Sequence, residues 1–139
     1  MYLIKPYNSI GDFELGTSRV IIESRLGETR IDKNPFSEQI QIARYPLGLT
    51  IEYKDAKACF IGAIIELKPV LHDFSFENRS LQDILNYFRQ FPGVIYTDSS
   101  VYVSEYLGIT TYFEDSKLLE VGIFAKEHKE NMIDGMNTC

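Results

Sequence analysis

Two stretches of this chain carry the same alternation of apolar and polar residues, sixty positions apart. LGLTIEYKDAKACFIG (47–62) and LGITTYFEDSKLLEVG (107–122) align without a gap, with identity at Leu47/Leu107, Gly48/Gly108, Thr50/Thr110, Asp55/Asp115, Lys57/Lys117 and Gly62/Gly122. Side chains of a strand alternate between its two faces, so an apolar–polar period of two marks a half-buried strand. Asp-Ala-Lys at 55–57 and Asp-Ser-Lys at 115–117 break each run, and each copy therefore predicts a β-hairpin. The expected inner face carries Leu47, Leu49, Ile51 and Tyr53 with Cys59, Ile61, Ala63 and Ile65. In the second copy it carries Leu107, Ile109, Thr111 and Phe113 with Leu119, Val121, Ile123 and Ala125.

A helix pattern precedes each hairpin. Thr17-Ser18 are good N-cap residues; Val20, Ile21, Ile22 and Leu26 follow, and Gly27 is a natural stop. The second helix begins near Asn78 or Ser80, with Leu81, Ile84, Leu85 and Phe88 at helical spacing, Asp83 placed as in a capping box, and Pro92-Gly93 as its end. GVIYTD (93–98) and SVYVSEY (100–106) predict a further strand pair around Asp98-Ser99-Ser100; 28–45 is less regular. The fold class that follows is α+β: a two-layer, mostly antiparallel sheet with helices on one face, formed by two helix-plus-hairpin repeats. Repeat one spans about 9–66 and repeat two about 78–126, within a single domain at 1–126, and 127–139 is a polar tail.

Composition narrows the function classes. The chain has 139 residues, 45% hydrophobic, enough for one core without disulfide or metal. Its net charge of -6 argues against nucleic acid, since phosphate binding needs clustered Lys and Arg. No segment approaches the length of apolar chain that spans a bilayer, and the N-terminal stretch lacks a signal-peptide pattern. The expectation is a soluble, cytoplasmic protein without membrane contact. Cys59 and Cys139 form no disulfide framework, and Cys59 is expected to pack as a small hydrophobe. His72 and His128 have no partners in a metal or triad motif, and no phosphate-cradling glycine loop occurs. No catalytic residue, metal or cofactor is expected.

A sheet covered on one side leaves the other to be explained. The repeat places Thr50, Glu52, Lys54, Phe60 and Ile64 there, with Thr110, Tyr112, Glu114, Leu118, Glu120 and Phe124. Tyr102 and Tyr106 join them if Val101 and Val103 point inward. Gly62 and Gly122 fall on the same face, where glycine favours bending or close approach. Aromatic rings among carboxylates suit a protein-binding surface. The partner-binding candidates are Glu52, Phe60, Tyr102, Tyr106, Tyr112, Glu114, Glu120 and Phe124, facing a basic protein or, in a homodimer, a second copy.

The stretch SIGDFELGTSRVIIESRLG (9–27) resembles a bacterial strand-to-helix pattern found at the start of domains similar to the tandem-repeat β-lactamase-inhibitor-protein family; Ile10, Gly11, Leu15, Gly16, Thr17, Leu26 and Gly27 match it. That resemblance implies helices packed on antiparallel sheet and an aromatic-rich sheet face that grips a target. In size, charge and build the chain is also similar to cytoplasmic immunity proteins of contact-dependent and polymorphic toxin systems. This implies a cognate basic toxin domain, often a nuclease, as partner, neutralised by covering its active site. The alternatives are a small-ligand or regulatory module with a cavity between sheet and helices, an enzyme built on clustered carboxylates, and a homo-oligomeric structural protein.

Overall fold

The computed structural model describes residues 2–35 and 37–128. The protein is mostly antiparallel sheet with two short helices. In chain order the elements are β1 (Tyr2–Lys5), β2 (Ser9–Ile10), β3 (Phe13–Glu14), α1 (Arg19–Leu26), β4 (Ile31–Asn34), β5 (Ser37–Tyr45), β6 (Leu49–Lys54), β7 (Lys57–Ile64), β8 (Pro69–Leu71), β9 (Phe74–Ser75), α2 (Leu81–Phe88), β10 (Ile95–Asp98), β11 (Val101–Ser104), β12 (Ile109–Glu114) and β13 (Lys117–Phe124). Of the polar tail, Lys126–His128 form a 3-10 turn; the rest lies outside the described residues.

Eight strands form one sheet in the order β10-β11-β12-β13-β7-β6-β5-β4, so two four-stranded meanders meet where β13 pairs with β7. The irregular 28–45 segment supplies β4 and the nine-residue β5. A smaller sheet, β3-β2-β1-β8-β9, contains a parallel pair, β1 with β8. It was not expected, because strands of two to four residues are too short for alternation to show. Its Ile4, Ile10, Phe13 and Leu71 join Ile22 of α1, Ile84, Tyr87 and Phe88 of α2, and Leu49, Ile51, Ile61, Ala63, Ile109, Val121 and Ile123 of the large sheet in one core cluster. The face of the large sheet carrying these residues is its inner face.

The two hairpins are equivalent in detail. Both turns place two central residues at positive φ, Asp55 and Ala56 in one, Asp115 and Ser116 in the other, the twist that suits a two-residue hairpin. Both carry a bulge at the matching place, after Glu52 and after Tyr112. Cys59 and Leu119 are the extra residues, since Phe60 and Ala58 pair with Glu52 and Tyr53, while Glu120 and Leu118 pair with Tyr112 and Phe113. A bulge resets the alternation, and this corrects two assignments. Leu118, expected outside, is in the main core and Leu119 is only half-buried; Cys59, expected inside, belongs to a second cluster with Ile40, Phe60, Val103 and Phe124. Cys59 is disulfide-bonded, where no disulfide framework was expected; Cys139 lies outside the described residues.

The helices are anchored by different devices. Ser80 and Asp83 form the full capping box of α2, Asp83 N donating to Ser80 Oγ at 3.1 Å and Ser80 N to Asp83 Oδ2 at 3.0 Å. Helix α2 ends at Phe88, before Pro92-Gly93. Ser18 makes no side-chain cap for α1; instead Gly16 N and Arg19 N donate to the carbonyls of Ala58 and Ala56, and Ala58 N donates to Thr17 O. Glu23 of α1 accepts from Tyr45 Oη at 3.2 Å, and Tyr45 Oη lies 2.7 Å from Tyr53 Oη on the inner face. Among the described residues no helix is long and apolar enough to cross a membrane.

The bulge phase is testable. Leu118→Ala removes a buried side chain and is expected to cost about 2–5 kcal/mol, and Leu119→Ala clearly less. Urea unfolding of the two variants gives the comparison; the opposite ranking would contradict the register.

Candidate functional site on the outer sheet face

The seam between the meanders is built around a pair of glycines. In the β7–β13 ladder Gly62 pairs with Gly122, Ile64 with Glu120 and Phe60 with Phe124. Exchanging every residue for its counterpart sixty positions away returns the same set of pairs, so a local two-fold runs through the Gly62–Gly122 pair. On the outer face a Cβ at Gly62 would lie 2.6 Å from Glu120 Oε1, and one at Gly122 would lie 2.5 Å from Phe60 Cζ. Phe60 and Glu120 are counterparts. Each folds across the seam over the glycine of the opposite strand, and glycine is required because its missing side chain leaves that space.

The symmetry is broken in chemistry. Phe60 leans into an apolar cluster with Phe124, Val103 and Ile40, joined by Tyr7, Tyr96 and Val101. Tyr7 meets the Phe124 ring edge-on at 5.4 Å and donates from its hydroxyl to the carbonyl oxygen of Glu105. Burial, and then the negative charge of Glu105, push the Tyr7 phenol up to about 12. Glu120 leans the other way, over Gly62, which pairs with Thr50 of β6. Glu52 lies on neighbouring β6 and accepts from the Asn34 side chain.

Glu52 and Glu120 are both half-buried. Loss of water raises the Glu52 carboxyl, the negative charge of Glu120 raises it further, and Asn34 and Arg44 oppose them; the result is a group pushed up to about 7. Burial raises Glu120 as well, against Arg44 and Thr50. Arg44 serves both acids while its Nη1 lies 3.0 Å from Asp32 Oδ2, and Arg30 Nε is 3.0 Å from Asp32 Oδ1.

The structure brings only part of the expected surface together. Glu52, Glu120, Tyr112 and Glu114 are on the outer face, with Tyr112 40% exposed. Phe60 and Phe124 are also on that face by register, but they are 7% and 0% exposed and form its floor rather than its contact surface. Tyr102 pairs with Thr111, in the row of Val121, Ala63 and Leu49, so it faces inward beside the Phe113 ring; Val101 and Val103 take the outer positions, the reverse of the expected assignment. Tyr106 is in the turn after β11, off the strands, 54% exposed and stacked on Phe91 with ring centres 5.8 Å apart. Sequence reasoning missed Arg44, Asn34 and Tyr7. Arg44 pairs with Thr50 and was hidden in the irregular 28–45 segment; Tyr7 comes from a turn at positive φ that has no periodic signal.

Among the described residues no group of three or more His, Cys, Asp and Glu is placed to hold a metal ion. An open pocket of about 630 Å³ is lined by Lys5, Asp12, Glu14 and Arg25, away from the seam. No protein-family model, curated protein or solved structure matches the chain.

The glycine pair yields a graded expectation. Gly122→Ala drives a methyl into the buried Phe60 ring and should cost about 1–3 kcal/mol, more than the ~0.4–1 kcal/mol returned by a stiffer unfolded chain. Gly62→Ala meets chiefly the carboxylate end of Glu120, with the Phe60 ring edge at 3.0 Å, and should cost less. Equal stability of both variants and wild type in urea would show that the close approach is not required.

Proposed function

We propose that the protein is a binding protein of the immunity type, which neutralises a basic toxin domain, such as a nuclease, by laying the outer face of the eight-stranded sheet over its active site. In this reading both helices and the small sheet cover the inner face, the two helix-plus-hairpin repeats share one sheet, and the opposite face is left for the partner. The protein acts in the cytoplasm, where such a toxin would arrive.

The observation that carries the reading is the pair of acids Glu52 and Glu120, half-buried on the outer face and both raised in pKa by burial. A partly desolvated carboxylate pair gains more from an arriving guanidinium or ammonium than from water, and the net charge of -6 steers a basic protein toward it. Tyr112 and Glu114 extend the contact beside the acids. Phe60 and Phe124 support it from below, so their contribution is shape rather than contact. The divergence of the repeat agrees: inner positions apart from Ile51/Thr111 stay apolar in kind, as Leu49/Ile109, Tyr53/Phe113 and Ile61/Val121, whereas the outer positions 52/112 and 60/120 exchange acid for aromatic.

A second reading is general acid catalysis, since a carboxyl raised to about 7 by burial is how such an acid is prepared. Turnover of glycoside or ester substrates that disappears in Glu52→Gln would favour it.

The test of the binding role is co-expression with the product of the adjacent gene. A complex whose affinity falls with salt is expected, with relief of toxicity. Glu52→Gln, Glu120→Gln and Tyr112→Ala should each weaken Kd by about tenfold or more while the fold is kept. No complex and no relief of toxicity would overturn the proposal.

A further inference from the structure

The two-fold that relates the hairpins fails at one edge. In the first half, the segment leading into α1 runs along the hairpin like an added strand. Gly16 N donates to Ala58 O at 2.7 Å, Ala58 N to Thr17 O at 2.9 Å and Arg19 N to Ala56 O at 2.8 Å, and Ser18 forms a β-bridge with Lys57. Ala125 N extends the row, donating to Cys59 O at 3.0 Å. Sixty residues on, the matching groups are Ser116 O, Leu118 N, Leu118 O and Leu119 O. Among the described residues, none of these four has a backbone partner outside the strand ladders.

The hairpins themselves are not the cause. Their turns and bulges match, so Leu118 presents its backbone away from β12 as Ala58 does from β6. What differs is the chain that would cover it. Gly16 sits at a φ of 88°, a conformation open to glycine. Its counterpart, Phe76, is a fully buried ring whose N donates to Pro69 O at 3.1 Å. Arg79, the counterpart of Arg19, is drawn to the small sheet: its Nε donates to Ser75 O at 2.8 Å, and its guanidinium lies 4.4 Å from the centre of the Phe74 ring. The segment 76–79 therefore stands off the hairpin, and a groove of about 440 Å³ opens between it and the turn 116–118.

We propose that this groove binds an extended peptide segment of a partner protein as an added strand, small and polar in its first three residues and basic in the fourth. The template is the chain's own Gly-Thr-Ser-Arg at 16–19, which occupies the equivalent edge of the first hairpin. The three bonds of that segment are available again on Leu118 and Ser116, and main-chain bonds of this kind supply the affinity when a strand adds to an open edge. The fourth residue falls at Ser116, next in the chain to Asp115. Glu66 and Glu77 line the groove and make no ion pair among the described residues; of its two cations, Arg79 is engaged by Ser75 and Phe74, which leaves Lys117 against two acids. The site is at the hairpin end of β13 and does not depend on the toxin-binding reading of the outer face, so the two can fail separately.

The test uses the full chain and the synthetic peptide acetyl-Leu-Gly-Thr-Ser-Arg-Val-amide, which copies residues 15–20. In the free protein the Leu118 amide should exchange with solvent at least tenfold faster than the Ala58 amide, which Thr17 O covers. In an amide NMR titration the peptide should bind with a Kd on the order of 1 mM or tighter, with shifts gathered at Ser116–Leu119 and Glu77–Arg79. Methylating the peptide nitrogens of its Gly and Arg removes two donors and should weaken binding at least tenfold; Glu in place of its Arg should weaken it about threefold or more. Equal protection of Leu118 and Ala58, no shifts at Ser116–Leu119, or unchanged binding of either altered peptide would overturn the proposal.

Discussion

The whole outer face depends on two residues that have no side chains. Gly62 and Gly122 pair across the seam of the two meanders, and the space above each is taken by a side chain from the opposite strand, Glu120 over one and Phe60 over the other. Had either position carried a Cβ, its neighbour would be pushed off the sheet. The Phe60 ring would lose its place beside Phe124, or the Glu120 carboxylate would lose its place over Gly62. The glycines thus decide where an aromatic cluster and an acidic cluster are laid down on a surface that is symmetric in its backbone. Strand glycines weaken a sheet by themselves; here the loss is offset by burial of a Phe ring that covers the exposed backbone.

The inner face is governed by different physics. Its residues need only be apolar and about the right size, which is a lenient demand. Leu49 and Ile109, Ile61 and Val121, Ala63 and Ile123 meet it with different side chains at matched positions. Thr111 stands where Ile51 stands in the first half. It is fully buried, and it is tolerated because its hydroxyl donates to the Tyr102 carbonyl at 3.0 Å. The same Tyr102 leaves the outer face for the Phe113 ring, so a polar substitution in the core and an aromatic one beside it are linked.

Most of the hairpin architecture was legible in the sequence because it rests on a period of two repeated sixty residues apart. Turns, strand pairs and the role of the glycines all follow from that alignment. The parts that were not legible have identifiable causes. A bulge adds one residue without any change in composition, so Leu118 and Leu119, both leucine, cannot be told apart by pattern. The orientation of Tyr102 over Val101 and Val103 was ambiguous because both sets are strand-forming and apolar enough for either face. Strands as short as β2, β3 and β9 contain too few residues to alternate. Burial of Phe60 and Phe124 required knowing that Tyr7, far away in sequence, closes over their end of the sheet.

The acidic half of the face shows why exposure alone is a poor guide to a binding surface. Tyr106, at 54% exposed, is more accessible than Glu52 or Glu120, yet a stacked ring on a turn is ordinary surface. Glu52 and Glu120 are less accessible and more informative. Taking two carboxylates partly out of water is unfavourable unless cations repay it, and Arg44 is already bonded to Asp32. A fold that needed only stability would place Gln or an apolar residue at one of these positions, as its own repeat does with Phe at 60 and Tyr at 112. The second half of each exchange, an acid kept where its counterpart is aromatic, fits the positively charged partner proposed above.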